Sequence, residues 1–342
     1  MTASNPTDAP RRKSCCTPPS GGGVVSRSGV REDGADCRSV PTAEPIPCAD
    51  SGSTDGMVRL EGGDFLMGSV SPEVFEADGE GPVRHVTLRP FYVDVHTVSV
   101  ADFRRFVAQA GYTTDAERFG WSFVFRNHLP RKYADRLART RAVVGLEWWI
   151  AVPSARWDRP EGERSDVKDR LYHPVTHVSW NDAIAYCRWA GKRLATEAEW
   201  EYAARGGLEQ ATYPWGNELA PAGKHRCNIW QGRFPHQDTA EDGYAGTCPV
   251  TAFENNGYGL YNCSGNTWEW TADWMSTDHH AQQHRDTRDN PTGPHGGTHK
   301  TQKGGSFLCH RSYCNRYRVA ARIGNTPDSS AANAGFRCVR DI

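Results

Sequence analysis

The sequence predicts an α+β protein in which loops outweigh regular structure, and three observations support this. Two stretches of alternating apolar residues precede three helix-like stretches, and no long helical pattern follows residue 208. Glycine and tryptophan are abundant, with 34 and 12 of the 342 residues, whereas apolar residues make up 37%. This composition is typical of a loop-rich, aromatic core rather than a helical bundle.

The chain divides into a tail and one folded domain. Residues 1–55 are rich in Ser, Thr, Pro, Gly and Asp and lack apolar periodicity, which predicts a disordered tail. Residues 56–342 then form the domain. It begins with a strand over 57–67, interrupted by Gly62-Gly63, and a second strand over 83–95.

Three segments have the apolar spacing of amphipathic helices, and each begins at a capping residue and ends at glycine. The first is predicted to begin at Ser99; the second to begin at Asn181 or Asp182 and end at Gly191; the third to begin in the capping box Thr196–Glu199 and end at Gly206-Gly207.

Charge and hydropathy exclude several classes of function. The formal charge is −1, from 40 Lys+Arg against 41 Asp+Glu, so neither nucleic acid nor an anionic membrane is expected as a partner. No stretch reaches the ~18–20 apolar residues of a membrane span. Arg11, Arg12 and Lys13 are not followed by an apolar segment, so we expect no secretory signal and a cytoplasmic location.

The segment 303–318 reads KGGSFLCHRSYCNRYR and carries the sharpest chemical signal, the pair Cys309 and Cys314. Neighbouring Arg and His lower a thiol's pKa and favour the thiolate, which is a nucleophile and a ligand of soft metals. Two thiolates without a third ligand suit Cu(I) better than tetrahedral Zn(II). A disulfide across a turn is the alternative, and spacing does not decide between them.

Two further segments combine Asn, carboxylate and loop carbonyls, the oxygen ligands that calcium prefers. One is 262–274, NCSGNTWEWTADW; the other joins Asn228-Ile229 to Asp242-Gly243-Tyr244. Asx-turns and helix caps use the same residues, so this chemistry alone leaves the calcium sites open.

Six blocks of the sequence resemble one family, the formylglycine-generating enzymes that activate sulfatases. The resemblance covers about residues 57–340, and its most specific parts are CHRSYCNRYR and NTPDSSAANAGFRC. It implies a variant C-type-lectin-like fold, low in regular structure. It also implies a monomeric oxidase that acts on unfolded sulfatases. In these, the cysteine of a Cys-x-Pro-x-Arg motif is converted with O2 to Cα-formylglycine.

The resemblance assigns roles to individual residues. Cys309 and Cys314 would bind Cu(I), with an external reductant, and the substrate thiolate would complete the site. The remaining residues implied are Ser306 and Trp268 as catalytic residues, and His310, Arg311, Tyr313 and Asn333 as substrate-binding residues. His310 and Tyr313 could equally hold a loop-rich core together.

The resemblance also implies two structural calcium sites. The first consists of Asn228, Asp242 and the carbonyls of Ile229 and Tyr244; the second consists of Asn262, Glu269 and the carbonyls of Gly265 and Thr267.

Some positions depart from the family pattern. Cys187 and Cys338 match a structural disulfide of secretory members, whereas Ala204 and Val319 replace both halves of a second bridge. Trp121 stands where some members have an acidic residue suited to the substrate Arg. Cys227, Cys248 and Cys263 have no assigned counterpart.

Two other functions are consistent with parts of the pattern. A non-catalytic, sulfatase-binding paralogue would lack the active cysteine pair, so Cys309 and Cys314 oppose this reading. An iron-dependent sulfoxide synthase would need a cluster of histidine ligands, usually in an N-terminal helical domain, which residues 1–55 cannot supply.

The tail contains one motif that the family resemblance does not cover. Cys16-Thr17-Pro18-Pro19-Ser20 imitates Cys-x-Pro-x-Arg except at its last residue. Proline two residues after the cysteine favours the extended backbone of a groove-bound peptide. The segment is therefore a candidate pseudosubstrate or thiol relay, with coincidence as the alternative.

Overall fold

A computed structural model of the chain describes Pro18, residues 52–281 and residues 287–342. Of the predicted tail, residues 1–55, the residues 1–17 and 19–51 lie outside the described residues, and these include all of the cysteine motif except Pro18. Within the described ranges, no helix has both the length and the apolar character needed to cross a bilayer.

The helices confirm two predicted starts and correct a third. Ser99 and Thr196 cap the helices Val100–Ala110 and Glu197–Arg205, with Ser99 Oγ accepting from the Asp102 N–H at 3.2 Å. The second predicted helix begins at neither Asn181 nor Asp182, because Ser179 is its cap and Asp182, the third residue of the helix, completes the capping box. The described α-helices are α1 Val100–Ala110, α2 Asp115–Phe119, α3 Arg131–Arg141, α4 Trp180–Ala190 and α5 Glu197–Arg205.

The strands are short, as the loop-rich composition predicts. The first predicted strand is two strands separated at Gly62, and the second is interrupted at Arg89-Pro90. The described strands are β1 Met57–Leu60, β2 Gly63–Met67, β3 Arg84–Leu88, β4 Phe91–Asp94, β5 Trp121–Phe125, β6 Ala142–Val143, β7 Leu146–Pro153, β8 Arg193–Leu194, β9 Gly232–Arg233, β10 Gln237–Asp238, β11 Trp268–Trp274, β12 Lys300–Lys303, β13 Arg322–Asn325, β14 Ala334–Gly335 and β15 Cys338–Asp341.

The first sheet joins the two ends of the domain. Its order is β1-β4-β15-β8, so the C-terminal strand lies between strands from the first half of the domain, with Val339 opposite Val93. The strands β2 and β3 pair beside it, β9 pairs with β10, and β5-β7-β6 form a sheet of their own.

The second sheet brings together three segments that are distant in sequence. Its order is β13-β12-β11-β14, and its only parallel pair places Trp268 opposite Ala334. The chain leaving β12 therefore enters the 304–318 segment beside the start of β11 and beside the 325–333 segment. These three segments supply most of the predicted site.

Aromatic packing holds α1 against α4. Phe103 stacks on Tyr186 with ring centroids 6.0 Å apart, and Phe336 packs against both. Cys187 on α4 and Cys338 on β15 lie in this core with their sulfur atoms 3.5 Å apart. They are neighbours, as predicted, but they are thiols here, because a disulfide requires ~2.05 Å. Ala204 and Val319 share a second apolar cluster, consistent with the loss of both halves of a bridge.

Candidate active site

A pair of glycines turns the chain from β12 into the cysteine segment. Gly304 and Gly305 have φ of 89° and 74°, the left-handed region that other residues avoid. A Cβ on Gly305 would lie 2.8 Å from the Arg316 carbonyl oxygen, so glycine is also required for close approach. The turn brings Phe307 to the neighbouring segment, where its N–H donates to the Asn266 carbonyl at 3.0 Å.

The residues between the two cysteines form a tight turn. The His310 carbonyl accepts from the N–H groups of Tyr313 and Cys314, both at 2.9 Å. Cys309 and Cys314 are each only 1% exposed and share one hydrophobic cluster. The turn thus directs both thiols inward, while Arg311 and Ser312 between them face solvent.

Ser306 lies next to Cys309 and is held by Asn333. The Asn333 Nδ2 donates to Ser306 Oγ at 3.0 Å, and the Ser306 N–H points to Cys309 Sγ at 3.4 Å. Both Ser306 and Asn333 are fully buried, and the Asn333 carbonyl accepts from the Trp268 N–H at 2.8 Å. The structure therefore brings together three other predicted residues, Ser306, Asn333 and Trp268, beside the Cys309 thiol.

Trp268 contributes a buried donor to the same cluster. Its side chain is fully buried, and among the described residues its indole Nε1 has no hydrogen-bond partner. Tyr317 belongs to the same cluster as Trp268 and the two cysteines, and burial, followed by the neighbouring Tyr213, raises the pKa of its hydroxyl. An unsatisfied buried N–H is costly, so Trp268 is suited to donate to a bound group.

An aromatic wall beside Cys309 escaped the sequence analysis. The Tyr313 ring stacks on Phe234 with centroids 4.4 Å apart, and Trp148 meets Tyr313 edge-on at 5.2 Å. These rings line one pocket with Trp149, Ser306, Leu308 and Cys309. In the sequence, only the adjacent tryptophans Trp148 and Trp149 hinted at this wall. Their place in the site depends on the packing of β7 against the 304–318 segment, which the sequence does not reveal.

His310 and Arg311 lie on the outer side of the turn. The His310 Nδ1 is 2.7 Å from Ser312 Oγ, and Arg311 is exposed. Burial lowers the pKa of His310, the Cys314 thiol opposes this shift, and Arg311 adds to it. Trp121 is half-buried and stacks on Phe119 with centroids 6.5 Å apart.

The first predicted calcium set has an orphaned oxygen. Asn228 Oδ1 is buried and has no hydrogen-bond partner among the described residues, although its Nδ2 donates to the Gly246 carbonyl at 2.7 Å. The Asp242 carboxylate accepts from the N–H groups of Ile229 and Tyr244, both at 3.0 Å. Burial raises the pKa of Asp242 despite these bonds. A cation would satisfy the Asn228 oxygen and balance the Asp242 charge, so the two side chains fit calcium, whereas the Ile229 carbonyl already accepts from Gln231 Nε2 at 2.7 Å.

The second predicted set fits calcium only in part. Asn262 Oδ1 is also buried without a partner in the described part of the chain. The Glu269 carboxylate, however, accepts from Arg337 at 2.6 and 2.7 Å and from the Trp200 indole at 2.7 Å. Because Arg337 already neutralises Glu269, an ion here would depend mainly on the amide and carbonyl oxygens.

Buried ion pairs stabilise the strand that leads into the cysteine segment. Lys303 is fully buried and its Nζ donates to Glu201 at 3.0 Å, while Arg205 donates to the other oxygen of Glu201 at 2.7 Å. Burial would raise the pKa of Glu201, but Lys303 and Arg205 lower it to about 2. The end of β12 is thus tied to α5 by charge.

The donor set at the two cysteines is that of a soft ion. In the described ranges, no three His, Cys, Asp or Glu side chains group together as metal ligands. Two buried thiols in an apolar and aromatic cluster therefore fit low-coordinate Cu(I) and do not fit tetrahedral Zn(II).

Solved structures define the class of fold. PvdO from Pseudomonas aeruginosa matches over 88% of this chain and 100% of its own, with a TM-score of 0.60 and 21% identity. Treponema denticola variable protein 1 matches over 83% and 94%, with a TM-score of 0.53 and 18% identity. The domain therefore has the C-type-lectin-like fold that the sequence predicted.

Sequence comparison defines the family. The model of the sulfatase-modifying factor enzyme 1-like domain matches residues 42–342, and the chain belongs to this family. Relatives called formylglycine-generating enzyme include one from Thermomonospora curvata, 62% identical over 84% of this chain and 93% of its own. Another, from Mus musculus, is 49% identical over 94% and 86%. A Bos taurus relative called inactive C-alpha-formylglycine-generating enzyme 2 is 47% identical over 84% and 89%.

Proposed function

We propose that this protein is an oxidase that converts the cysteine of a Cys-x-Pro-x-Arg motif in unfolded sulfatases to Cα-formylglycine. The single observation that carries this proposal is the placement of Ser306, with its partner Asn333, beside the buried Cys309 thiol. The relatives called formylglycine-generating enzyme support the same reaction.

The reaction balances with O2 and an external thiol reductant. The substrate cysteine loses two electrons and two protons as its Cβ–H and S–H bonds break, which gives a thioaldehyde. Hydrolysis of the thioaldehyde gives the aldehyde and hydrogen sulfide. O2 accepts two electrons from the cysteine and two from the reductant and leaves as two molecules of water.

The residues of this chain bind and orient the reacting thiol. Cys309 and Cys314 would hold Cu(I), which when bound supplies the redox coupling between a thiol and O2. Ser306, fixed by Asn333, orients the group beside Cys309, and the indole N–H of Trp268, in the same cluster as the two cysteines, would donate to a bound group. Burial of these groups excludes water, which strengthens each of these polar interactions.

The aromatic wall gives the substrate peptide an apolar surface. Trp148, Phe234 and Tyr313 line the pocket that contains Cys309, so a peptide whose cysteine reaches this thiol must pack against them. Proline packs well on aromatic rings, and a Pro-containing peptide loses little entropy on binding because its backbone is already extended.

Calcium would stabilise the loops around the site. The Trp230 N–H donates to the Cys309 carbonyl at 3.1 Å, two residues after Asn228. An ion held by Asn228 and Asp242 would therefore stabilise a segment that contacts the cysteine turn. The second set, around Asn262 and Glu269, would bind more weakly.

The reaction is tested by incubating the full chain with Cu(I), O2, a thiol reductant and a Cys-x-Pro-x-Arg peptide. We expect an aldehyde, trapped as an oxime and detected by mass spectrometry, and none without O2 or without copper. Peptide binding without aldehyde under any of these conditions would favour the non-catalytic, sulfatase-binding alternative.

A further inference from the structure

The tail touches the domain at Pro18. Before Gly52 the structure describes this residue alone, and Pro18 is buried. Its carbonyl accepts from Ser329 Oγ at 2.8 Å and from Asn325 Nδ2 at 3.4 Å. A proline carbonyl from the tail is therefore bound by two side chains of the domain.

The two side chains that bind this carbonyl, Asn325 and Ser329, form a seat whose shape is set by local hydrogen bonds. Asn325 Oδ1 accepts from the Thr326 N–H at 2.8 Å, and its Nδ2 lies 3.3 Å from Ser329 Oγ. The Ser329 N–H donates to the Thr326 carbonyl at 3.1 Å. Asn325 and Ser329 are each 1% exposed with Pro18 in place, and these hydrogen bonds restrain both side chains.

The seat belongs to the segment that also positions the catalytic serine. Ser329 precedes Asn333 by four residues, at most about 14 Å of backbone. Between them, the Ser330 carbonyl accepts from the Phe123 N–H at 3.3 Å, which fixes the segment against β5. Pro18 thus contacts the same continuous segment, 325–333, whose last residue, Asn333, donates to Ser306.

Pro18 is the proline of Cys16-x-Pro18-x-Ser20, the motif that imitates the substrate. We propose that Asn325 and Ser329 form a subsite for the proline carbonyl of a Cys-x-Pro peptide, and that the tail occupies it as an intramolecular pseudosubstrate. A cysteine two residues before the proline lies up to about 7 Å from it. This distance is shorter than the backbone length between Ser329 and Asn333. This inference rests on the proposed function.

Tethering makes a weak interaction effective. Thirty-three residues separate Pro18 from Gly52 in the sequence, and a random-coil chain of that length has an r.m.s. span of roughly 30 Å. A tether of that length gives an effective concentration in the millimolar range. A segment that binds only weakly on its own therefore competes measurably with a peptide supplied at micromolar concentration.

The test uses the full chain and a fluorescein-labelled Ser-x-Pro-x-Arg peptide, in which serine replaces cysteine so that no turnover occurs. We expect Pro18→Ala to tighten peptide binding about two- to fivefold by fluorescence anisotropy. Pro10→Ala, a tail proline outside the motif, should bind the peptide as the wild type does. Because both substitutions lie in the tail, neither threatens folding of the domain.

A second variant tests the seat itself. Adding Ser329→Ala to Pro18→Ala removes the hydroxyl that would donate to the proline carbonyl of the peptide. Peptide binding should therefore weaken about two- to tenfold relative to Pro18→Ala alone. Equal peptide affinity in the wild type, Pro18→Ala and Pro10→Ala would overturn the proposal. If the tail competes with the peptide but no aldehyde forms, only the proposed reaction is overturned. If aldehyde forms and its KM is the same in the wild type and in Pro18→Ala, only this inference is overturned.

Discussion

The molecule contains two buried cysteine pairs that differ in how the fold holds them. Cys187 and Cys338 are 151 residues apart, lie on α4 and β15, and face each other across an aromatic core. Cys309 and Cys314 are on a single turn whose backbone is closed by the His310 carbonyl. All four thiols are at most 1% exposed, so burial does not distinguish the pairs.

The surroundings of the thiols do distinguish the two pairs. Burial raises the pKa of Cys338 well above its usual range, and Cys187 and Asp94 raise it further, which favours the less nucleophilic thiol form. Ser306, Asn333 and Trp268 place polar groups around Cys309 instead. Regular elements thus hold a structural pair, whereas a loop with polar neighbours holds the pair suited to chemistry.

The largest expected effect is the loss of turnover in Cys309→Ala and in Cys314→Ala. One thiol cannot chelate a low-coordinate ion, so aldehyde formation should fall at least about a thousandfold in each variant. Cu(I) binding, measured by competition with a colorimetric chelator, should fall with it. Circular dichroism should show an unchanged fold, and near-full activity in either variant would contradict the copper assignment.

The second effect concerns the polar neighbours of the reactive pair. Ser306→Ala should lower kcat about ten- to a hundredfold while changing Cu(I) affinity little, because the hydroxyl orients the reacting group without ligating the ion. Ser312→Ala is the matched control, since that serine is exposed and contacts only the outer face of the turn through His310. Parallel losses of kcat and copper affinity would make Ser306 part of the metal site.

A smaller effect is expected from calcium, which should stabilise the loops around Cys309 and Cys314 but not the regular elements that hold Cys187 and Cys338. Calcium at a hundredfold excess over its Kd should raise the Tm by ~5–10 °C. Asp242→Asn should abolish most of this rise, and the exposed Asp169→Asn should not. Without calcium, alkylation followed by mass spectrometry should increase at Cys309 and Cys314 but not at Cys187 and Cys338. If the Tm does not respond to calcium, the calcium assignment is wrong.

Local signals in the sequence were sufficient for the elements that local chemistry determines. Ser99 and Thr196 start their helices because a side-chain oxygen meets a backbone N–H three residues later, and that spacing is visible in the sequence. The start at Ser179 was missed because Asn181 and Asp182 are also good capping residues. The short α2 and the highly charged α3 carry too weak an apolar pattern to be predicted.

Contacts between distant segments could not be predicted in this way. The aromatic wall joins Trp148, Phe234 and Tyr313, which only the packing of β7 and the loop after β9 against the cysteine turn brings together. The pairing of Glu269 with Arg337 likewise depends on tertiary structure, and it reduces the negative charge that Glu269 could offer to a calcium ion. The cysteine turn itself was predictable because its residues are contiguous.

The smallest expected effect is on the structural pair. Cys187→Ala removes one buried sulfur atom from the α4 core, so it should lower the free energy of unfolding by about 1–2 kcal/mol and leave kcat and KM unchanged. Chemical denaturation and the peptide assay measure the two quantities on the same preparation. Cys338→Ala should behave alike, because the two thiols occupy one core with sulfur atoms 3.5 Å apart. If either substitution reduced turnover as strongly as Cys309→Ala, the pairs would not be separable into structural and reactive, and burial in regular elements would no longer explain why one of them is inert.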